Sequence, residues 1–311
     1  MPTFKPSALN VGFIALTLAI SAHAQELPPW AGSTPVLVFS ADLPAKFPSG
    51  LSGLTALPTG DLLAVSERAE RVLRFHLSED QWTGAVTQFN VLNSSDELEL
   101  ESLSALPFDR LAFGTESHID GREEDFILIA NFSPDSGIEV VDSVSLDWGY
   151  FGLTGGENKG LEAICYNGTR IFAMGEQVGF EDGHRFAPLW VVGIDPFRDG
   201  EHVRLALTSE TGKISAAACR AQQDGVELFT IERHFGVANL VRYLIPYNAT
   251  EAEPQNAVDL RPYLQSEGQS DNFLNPEGLA LVNDTLWIIT DNEYAGTRVT
   301  ARLLALSLLP E

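Results

Sequence analysis

The chain repeats one pattern five times, and this repeat limits the fold more than any other feature of the sequence. Each copy has a Ser or Glu, a small residue, an apolar run, a turn, a second apolar run, and then an acid followed by a polar residue. The copies are LSGLTALPTGDLLAVSER (Leu51 to Arg68), LESLSALPFDRLAFGTES (Leu100 to Ser117), LEAICYNGTRIFAMGEQ (Leu161 to Gln177), ISAAACRAQQDGVELFTIER (Ile214 to Arg233) and PEGLALVNDTLWIITDN (Pro276 to Asn292). A recurring period of this kind predicts a repeat architecture.

Each copy is predicted to be a β-hairpin, because apolar runs of about six residues bounded by turn residues are typical of strands. The turns lie near the middle of the copies, at Pro58-Thr59-Gly60-Asp61, Pro107-Phe108-Asp109, Asn167-Gly168, Asp224-Gly225 and Asn283-Asp284. Partners in a hairpin are equidistant from its turn. Ser52 should therefore oppose Glu67, and Glu101 should oppose Glu116. We call the Ser or Glu near the start of each copy the first column and the acid near its end the second column. Both columns then lie at the same end of every hairpin.

The spacing of the copies predicts an all-β fold, a five-bladed β-propeller. First-column positions follow one another at intervals of 49, 61, 53 and 62 residues. Each interval leaves room for the further strands that a four-stranded blade needs. The N-terminal segment TPVLVFSADL (Thr34 to Leu43) would complete the last blade beside TARLLALSL and close the ring. Six blades and two separate domains are the alternatives, but the repeat runs without a compositional break.

The first residues predict export. Residues 1–24 combine an early Lys, an apolar centre and Ala22-His23-Ala24, which is typical of a signal peptide and leaves 25–311 as one domain. We therefore expect a periplasmic or secreted protein. The net charge of −24 argues against nucleic acid and anionic membranes as partners. A monomer that binds a small anionic substrate is the expected form.

In a propeller, the first strands line the central channel, so the first column becomes a ring of polar residues. Its members are Ser52, Glu101, Glu162, Ser215 and Glu277. Three converging carboxylates repel one another, and a hard cation removes that repulsion. Calcium prefers six to eight oxygen ligands, whereas zinc would require a His or Cys cluster that the sequence lacks. The ring is therefore predicted to bind calcium; the alternative is a water-filled channel.

The second column predicts a wider acidic ring, made of Glu67, Glu116, Glu176, Glu232 and Asp291. Two interpretations stay open: contact with substrate, with Glu116 or Glu232 positioning water, or pairing with neighbouring arginines. Basic groups near this ring would bind an anion above the cation, as a phosphate ester requires. These groups are Arg68, His118, Lys159, Lys213, Arg233 and His234.

Cys165 and Cys219 are the only cysteines, and they lie at nearly equivalent depths on neighbouring first strands. An exported protein permits a disulfide between them; two buried thiols are the alternative. Several catalytic motifs are absent from the sequence: the G-x-S-x-G elbow, the P-loop, G-x-G-x-x-G after a strand and H-E-x-x-H. Their absence argues against a serine-triad esterase, a nucleotide kinase, a dinucleotide enzyme and a zincin.

The repeats resemble the phytase-like family, which is also described by an esterase-like activity of phytase. ISAAACRAQQDGVELFTIERHF and DNFLNPEGLALVNDTLWIITDNEYAGTRVTARLLALSL are similar to the C-terminal half of these proteins. They share an "ER" after the fourth hairpin and an N-x-E-G entrance to a strand that ends in D-N. NKGLEAICYNGTRIFAMGEQ resembles their middle repeat and LSGLTALPTGDLLAVSER their first, so the likeness spans about Ser49 to Leu308.

The order of the ring residues also resembles the calcium ring of the calcium-activated nucleotidases (apyrases), five-bladed propellers with one calcium in the central tunnel. Their first ring Ser is followed by Asp, whereas Gly53 follows Ser52 here. The two resemblances imply a calcium-dependent phosphoester hydrolase. In that hypothesis Arg68, Arg233 and Lys159 orient the phosphate. The alternative is a non-catalytic propeller with structural calcium that binds a partner or small ligand.

Overall fold

The described part of the chain consists mainly of β-strands. The computed structural model describes residue 30 and residues 34–79, 81–94, 98–265, 274–291, 293–294, 297–298 and 300–309, so the predicted signal peptide lies outside the described residues. In these ranges two helical turns interrupt the strands, a 3₁₀ turn at Trp148–Phe151 and α1 at Arg261–Leu264. Within the described ranges, no helix has the length and apolar character needed to cross a membrane.

The strands, in chain order, are β1 (Val36–Asp42), β2 (Leu51–Ala56), β3 (Leu62–Ser66), β4 (Arg71–Ser78), β5 (Gln81–Leu92), β6 (Glu99–Leu106), β7 (Arg110–Glu116), β8 (Glu124–Ser133), β9 (Gly137–Asp147), β10 (Ala163–Tyr166), β11 (Arg170–Met174), β12 (Gly179–Glu181), β13 (His184–Ile194), β14 (Phe197–Ala206), β15 (Lys213–Gln222), β16 (Gly225–His234), β17 (Val237–Pro246), β18 (Glu251–Ala252), β19 (Pro254–Asp259), β20 (Pro276–Val282), β21 (Thr285–Thr290), β22 (Glu293–Tyr294), β23 (Thr297–Arg298) and β24 (Arg302–Ser307).

Most strands belong to antiparallel groups of four, in which each strand pairs with the next. The first group is β2 to β5 and the second is β6 to β9; a short parallel pairing of β5 with β9 joins these two groups. The third group is β10, β11, β13 and β14, and the fourth is β15, β16, β17 and β19. The fifth is β20, β21, β24 and β1. The N-terminal strand β1 pairs with β24, as the sequence analysis predicts.

The apolar core lies between neighbouring groups rather than at one centre. Each of five clusters of buried side chains joins two groups, including one cluster that joins the fifth group to the first. Between the second and third groups, for example, the rings of Trp148 and Trp190 are 4.8 Å apart, edge to face. The apolar side chains on both faces of a strand group are buried by contact with the neighbouring groups. Each fully buried large apolar side chain contributes about 1.5 to 3 kcal/mol to the free energy of unfolding.

The first strands of the five groups contact one another in series: β2 with β6, β6 with β10, β10 with β15, β15 with β20, and β20 with β2. Serine hydroxyls connect several of them. The hydroxyl of Ser102 donates to the carbonyl oxygen of Leu161 at 2.6 Å, and that of Ser215 donates to the carbonyl oxygen of Pro276 at 2.9 Å. All five polar first-column positions therefore lie on a single surface formed by adjacent strands or, for Glu162, directly before one.

A β-bulge interrupts the first strand at the first-column position in three hairpins and directly after it in a fourth. The extra residue is Glu101, Ser215 or Glu277 in the first three, whereas in β2 it is Gly53, which follows Ser52. A bulge adds one residue to its strand and turns a side chain out of the regular alternation. The predicted pairing was therefore wrong in detail: Ser52 lies opposite Val65 rather than Glu67, and Glu116 lies opposite Glu99 rather than Glu101.

Cys165 and Cys219 form a disulfide, with their Cα atoms 5.8 Å apart. Cys165 lies in β10 and Cys219 in β15, so the bond joins the first strands of the third and fourth groups. Both side chains pack against the apolar cluster between these groups.

Candidate functional site

An acidic pocket lies at the end of the first strands that faces away from the hairpin turns. Its volume is about 130 Å³, and seven of its ten lining residues carry carboxylates. The lining residues are Leu51, Ser52, Glu67, Glu101, Glu116, Glu162, Glu176, Arg233, Glu277 and Asp291. Four of the five predicted ring residues thus meet in one pocket. Ser215 is not among the lining residues; it is buried, and its hydroxyl donates to Pro276.

The bulges account for the way the carboxylates converge. Glu101 and Glu277 occupy the extra position of a bulge in β6 and β20, so their side chains leave the strand alternation and point to the pocket. Glu162 directly precedes β10, and Glu116 ends β7. Four separate elements therefore each contribute one buried carboxylate to a small volume.

Crowding and burial shift the pKa of these carboxyl groups upwards. Burial, strengthened by neighbouring carboxylates, raises the pKa of Glu101 and of Glu162 well above the usual range. Burial also raises the pKa of Glu116 to about 7, with Glu176 adding to the effect. The pKa of Glu277 rises to about 8, since burial outweighs the opposing influence of Arg233. The pocket thus favours any positive charge that enters it.

One guanidinium already lies in the pocket. Nη2 of Arg233 is 2.7 Å from Oε1 of Glu277. Burial alone would lower the pKa of Arg233, but Glu277, Glu162 and other pocket acids raise it. Lys213, just outside the lining, forms an ion pair with Glu176. These two cations offset only part of the negative charge that the seven carboxylates would carry.

Several buried polar atoms of the pocket have no hydrogen-bond partner among the described residues. They are Oε1 of Glu101, Oε2 of Glu176, Oε2 of Glu277 and Nε of Arg233. An unsatisfied buried oxygen costs about 1 to 3 kcal/mol, and more when it is charged. Unpartnered carboxylate oxygens without nearby nitrogen or sulfur ligands are the donor set that calcium requires. The residues present therefore fit a calcium ion.

The two predicted catalytic acids lie in different environments. Glu116 lines the pocket, and its Oε2 accepts a hydrogen bond from the amide of Gly160 at 3.2 Å. Glu232 is fully buried and lies outside the lining. Its oxygens accept hydrogen bonds from the amides and hydroxyls of Thr208 and Ser209. The structure does not bring Glu232 to the pocket, because the loop that precedes β15 uses it as an internal acceptor.

Most of the predicted substrate-binding residues lie around the pocket rather than in it. Arg68 is half-exposed and pairs with Glu67 at 3.0 Å and with Glu99 at 2.7 Å. The exposed imidazole of His118 contacts Asn158 and lies 3.7 Å from Glu99. Arg233 is the one member of the predicted set among the described lining residues.

Lys159 and His234 complete the predicted set. The carbonyl oxygen of Lys159 accepts a hydrogen bond from Arg122 at 2.8 Å. Burial lowers the pKa of His234, and nearby Lys213 and Arg233 lower it further. Neither residue is among those that line the pocket.

Sequence reasoning missed a buried support beside the pocket. All five guanidinium N–H groups of Arg122 are used: two donate to Asp125 at 2.8 Å, and three donate to the carbonyl oxygens of Ile119, Gly156 and Lys159 at 2.6 to 2.9 Å. Arg122 thereby connects the loop after Glu116 to the loop before Glu162. No periodic signal marks Arg122, because it lies in a loop between two repeats.

Sequence reasoning also missed Glu99, which lies near the pocket without lining it. One oxygen from each of Glu67, Glu99 and Glu101 lies within 4.8 Å of the other two. The signal for Glu99 was present: an acid two residues before Glu101, on the same strand. We call Glu67, Glu99 and Glu101 the acidic corner.

The comparison with protein families decides the relationship. Residues 48–294 match the family described as "Phytase-like: Esterase-like activity of phytase". The chain belongs to the Phytase-like family. The resemblance drawn from the repeats is therefore confirmed. No curated protein matches the chain by sequence.

Solved structures similar to this Phytase-like protein are of the β-propeller type. One is the PQQ-bound aldose sugar dehydrogenase of Streptomyces coelicolor, with 15% identity, a TM-score of 0.50 and coverage of 90% of this chain and 99% of that chain. Another is a GH43_12 protein retrieved from a capybara gut metagenome, with 12% identity, a TM-score of 0.52 and coverage of 86% and 52%. At these identities the likeness concerns the fold alone.

Proposed function

We propose that this protein is an exported, calcium-dependent phosphoester hydrolase, periplasmic or secreted, that acts as a monomer on a small anionic substrate. Its five strand groups would be the blades of a five-bladed propeller, with β1 closing the ring. The serial contacts of the first strands, including that of β20 with β2, support this arrangement. The family's description supports an esterase-like reaction.

The observation that carries the proposal is the acidic pocket. Seven carboxylates face one guanidinium, and three buried carboxylate oxygens lack partners within the described part of the chain. A pocket of this charge repels an anionic ester unless a cation is bound first. Ser52, Glu101, Glu162 and Glu277 would hold the calcium, and Ser215 would support the strand behind them. Bound calcium would supply the positive charge that attracts and polarises a phosphate group.

The protein's own groups would then perform the remaining tasks. Glu116 has a pKa of about 7, near the value at which a general base works best in neutral solution. It would accept the proton of a water whose oxygen bonds to the phosphorus. The bond from phosphorus to the ester oxygen would break, and the leaving oxygen would take a proton from solvent water to form the alcohol. Arg233 would contact the substrate from within the pocket. Arg68, His118, Lys159 and His234 would attract the anion from the rim.

A second candidate is a non-catalytic propeller with structural calcium that binds a partner or small ligand. One observation favours it: the basic groups nearest the pocket are already paired with protein carboxylates. Arg68 pairs with Glu67 and Glu99, and Arg233 pairs with Glu277. Groups committed in this way have less freedom to bind a phosphate.

Hydrolysis of p-nitrophenyl phosphate, measured with calcium and with chelator, separates the two candidates. The enzyme predicts turnover that requires calcium and falls at least about a hundredfold in Glu101→Gln, a typical loss for a residue at a catalytic centre. Glu251→Gln removes an exposed acid away from the pocket and is the matched control. A folded protein that binds calcium but is inert towards a broad panel of esters supports the second candidate. If calcium neither binds nor raises the unfolding temperature, both candidates are wrong.

A further inference from the structure

The acidic corner has the spacing of a cation site of its own. Its three carboxylate oxygens lie within 4.8 Å of one another. Three oxygens spread evenly around one calcium at up to 2.6 Å are about 4.5 Å apart, so small side-chain movements would bring all three to one ion without rearrangement of the backbone. Glu99 and Glu101 come from β6, and Glu67 follows β3, so the corner spans the first and second strand groups.

An independent observation points to a ligand at the corner. Glu101 is only 5% exposed, and its Oε1 has no hydrogen-bond partner among the described residues. A buried carboxylate oxygen that faces other carboxylates and no donor is strongly destabilising unless a cation or proton neutralises it.

The guanidinium already in the pocket, that of Arg233, pairs with Glu277, an acid outside the corner. The acids that act on Arg233 are Glu277, Glu162, Glu176 and Asp291, and none belongs to the corner. The corner has Arg68, which contacts Glu67 and Glu99 but is 48% exposed. A half-exposed guanidinium is screened by water and offsets less of the repulsion around a buried carboxylate.

We infer that Glu67, Glu99 and Glu101 bind a second divalent cation, separate from the one proposed for the pocket, with Glu101 shared between the two. This inference rests on the proposed function, because it adds a site beside the proposed calcium. Two cations that share a carboxylate present two positive charges to one anionic group, an arrangement that suits a phosphate ester. Arg68 competes with the second cation for the same carboxylates.

The test counts calcium ions on the purified protein by isothermal titration calorimetry and by metal analysis after gel filtration. The wild type should bind two calcium ions. Glu99→Gln removes one ligand that does not line the pocket. This variant should keep one tightly bound ion, because the affinity of the second site should fall about tenfold or more. Glu251→Gln should bind two. Circular dichroism confirms that each variant is folded.

Arg68→Gln should bind the second calcium ion more tightly, a result that a folding defect would not produce. Removing the competing guanidinium should leave two calcium ions and tighten the weaker one several-fold. One ion on the wild type, two on Glu99→Gln, or unchanged affinity in Arg68→Gln would overturn the second site while the proposed calcium stands. The absence of any bound calcium would instead overturn the proposed function together with this inference.

Discussion

Replacing Arg122 with methionine tests the link between the loop structure and the acidic pocket. The guanidinium is 8% exposed and its partner Asp125 is 1% exposed. Without Arg122, the Asp125 carboxylate keeps one side-chain partner among the described residues, the indole N–H of Trp148 at 2.8 Å. Breaking a buried ion pair by removing one partner costs about 3 to 5 kcal/mol. For a chain of this size that loss lowers the unfolding temperature by roughly 5 to 8 °C.

The double variant Arg122→Met/Asp125→Leu is the matched control. It removes both charges and leaves no uncompensated carboxylate, so it should be more stable than the single variant. Unfolding by heat and by urea measures the stability of the single and the double variant. If single and double variants lose the same stability, the cost comes from the lost loop contacts and the charge argument is wrong. A single variant that loses less than about 1 kcal/mol refutes the role of the whole network.

The stability of Arg122→Met should depend on pH in a predictable way. Burial raises the pKa of Asp125 in the native protein, although Arg122 and Trp148 lower it. Removing Arg122 raises that pKa further. A carboxyl group with a raised native pKa favours folding at low pH and loses this contribution as the pH rises towards its native pKa. The stability difference between wild type and Arg122→Met should therefore shrink as the pH falls, which urea titrations at several pH values measure.

Three further changes have expected outcomes. Reducing the Cys165–Cys219 disulfide, which spans 54 residues, should cost about 4 kcal/mol on the chain-entropy model, measured as the difference in urea unfolding with and without reductant. Gly278→Ala should cost about 1 to 3 kcal/mol, because its Cβ would lie 2.8 Å from neighbouring backbone, whereas in Gly193→Ala no contact is closer than 3.5 Å. Glu232→Gln should lower the unfolding temperature by several degrees through lost hydrogen bonds, with calcium stoichiometry unchanged.

A specific result would contradict each of these three predictions. An unchanged stability after reduction would mean that the unfolded chain is already constrained between Cys165 and Cys219. Equal losses in Gly278→Ala and Gly193→Ala would show that the first strands tolerate a methyl group. A change in calcium stoichiometry in Glu232→Gln would place Glu232 in the pocket, against the observed geometry.

The repeat was sufficient to predict the all-β class and the position of most acids. Glu101, Glu162 and Glu277 occupy equivalent places in their copies, and equivalent places in a repeat meet when the copies pack side by side. The same reasoning failed for Glu232, which is equivalent to Glu116 in sequence. The loop of residues 207–212 has two hydroxyls and two amides that need an acceptor, and a side chain binds the donors that are nearest.

The amino-acid sequence by itself determined the strand pattern, the family and the concentration of carboxylates at one end of the hairpins. These follow from local periodicity and turn chemistry, which adjacent residues carry. Only the tertiary structure decided which acids face one another, since one bulge residue redirects a side chain and no periodic rule predicts it. Tertiary structure likewise placed Arg233 among the pocket acids and Glu99 beside Glu101. Such contacts depend on strands distant in sequence, and their electrostatic energies depend on burial that arises only when the groups pack together.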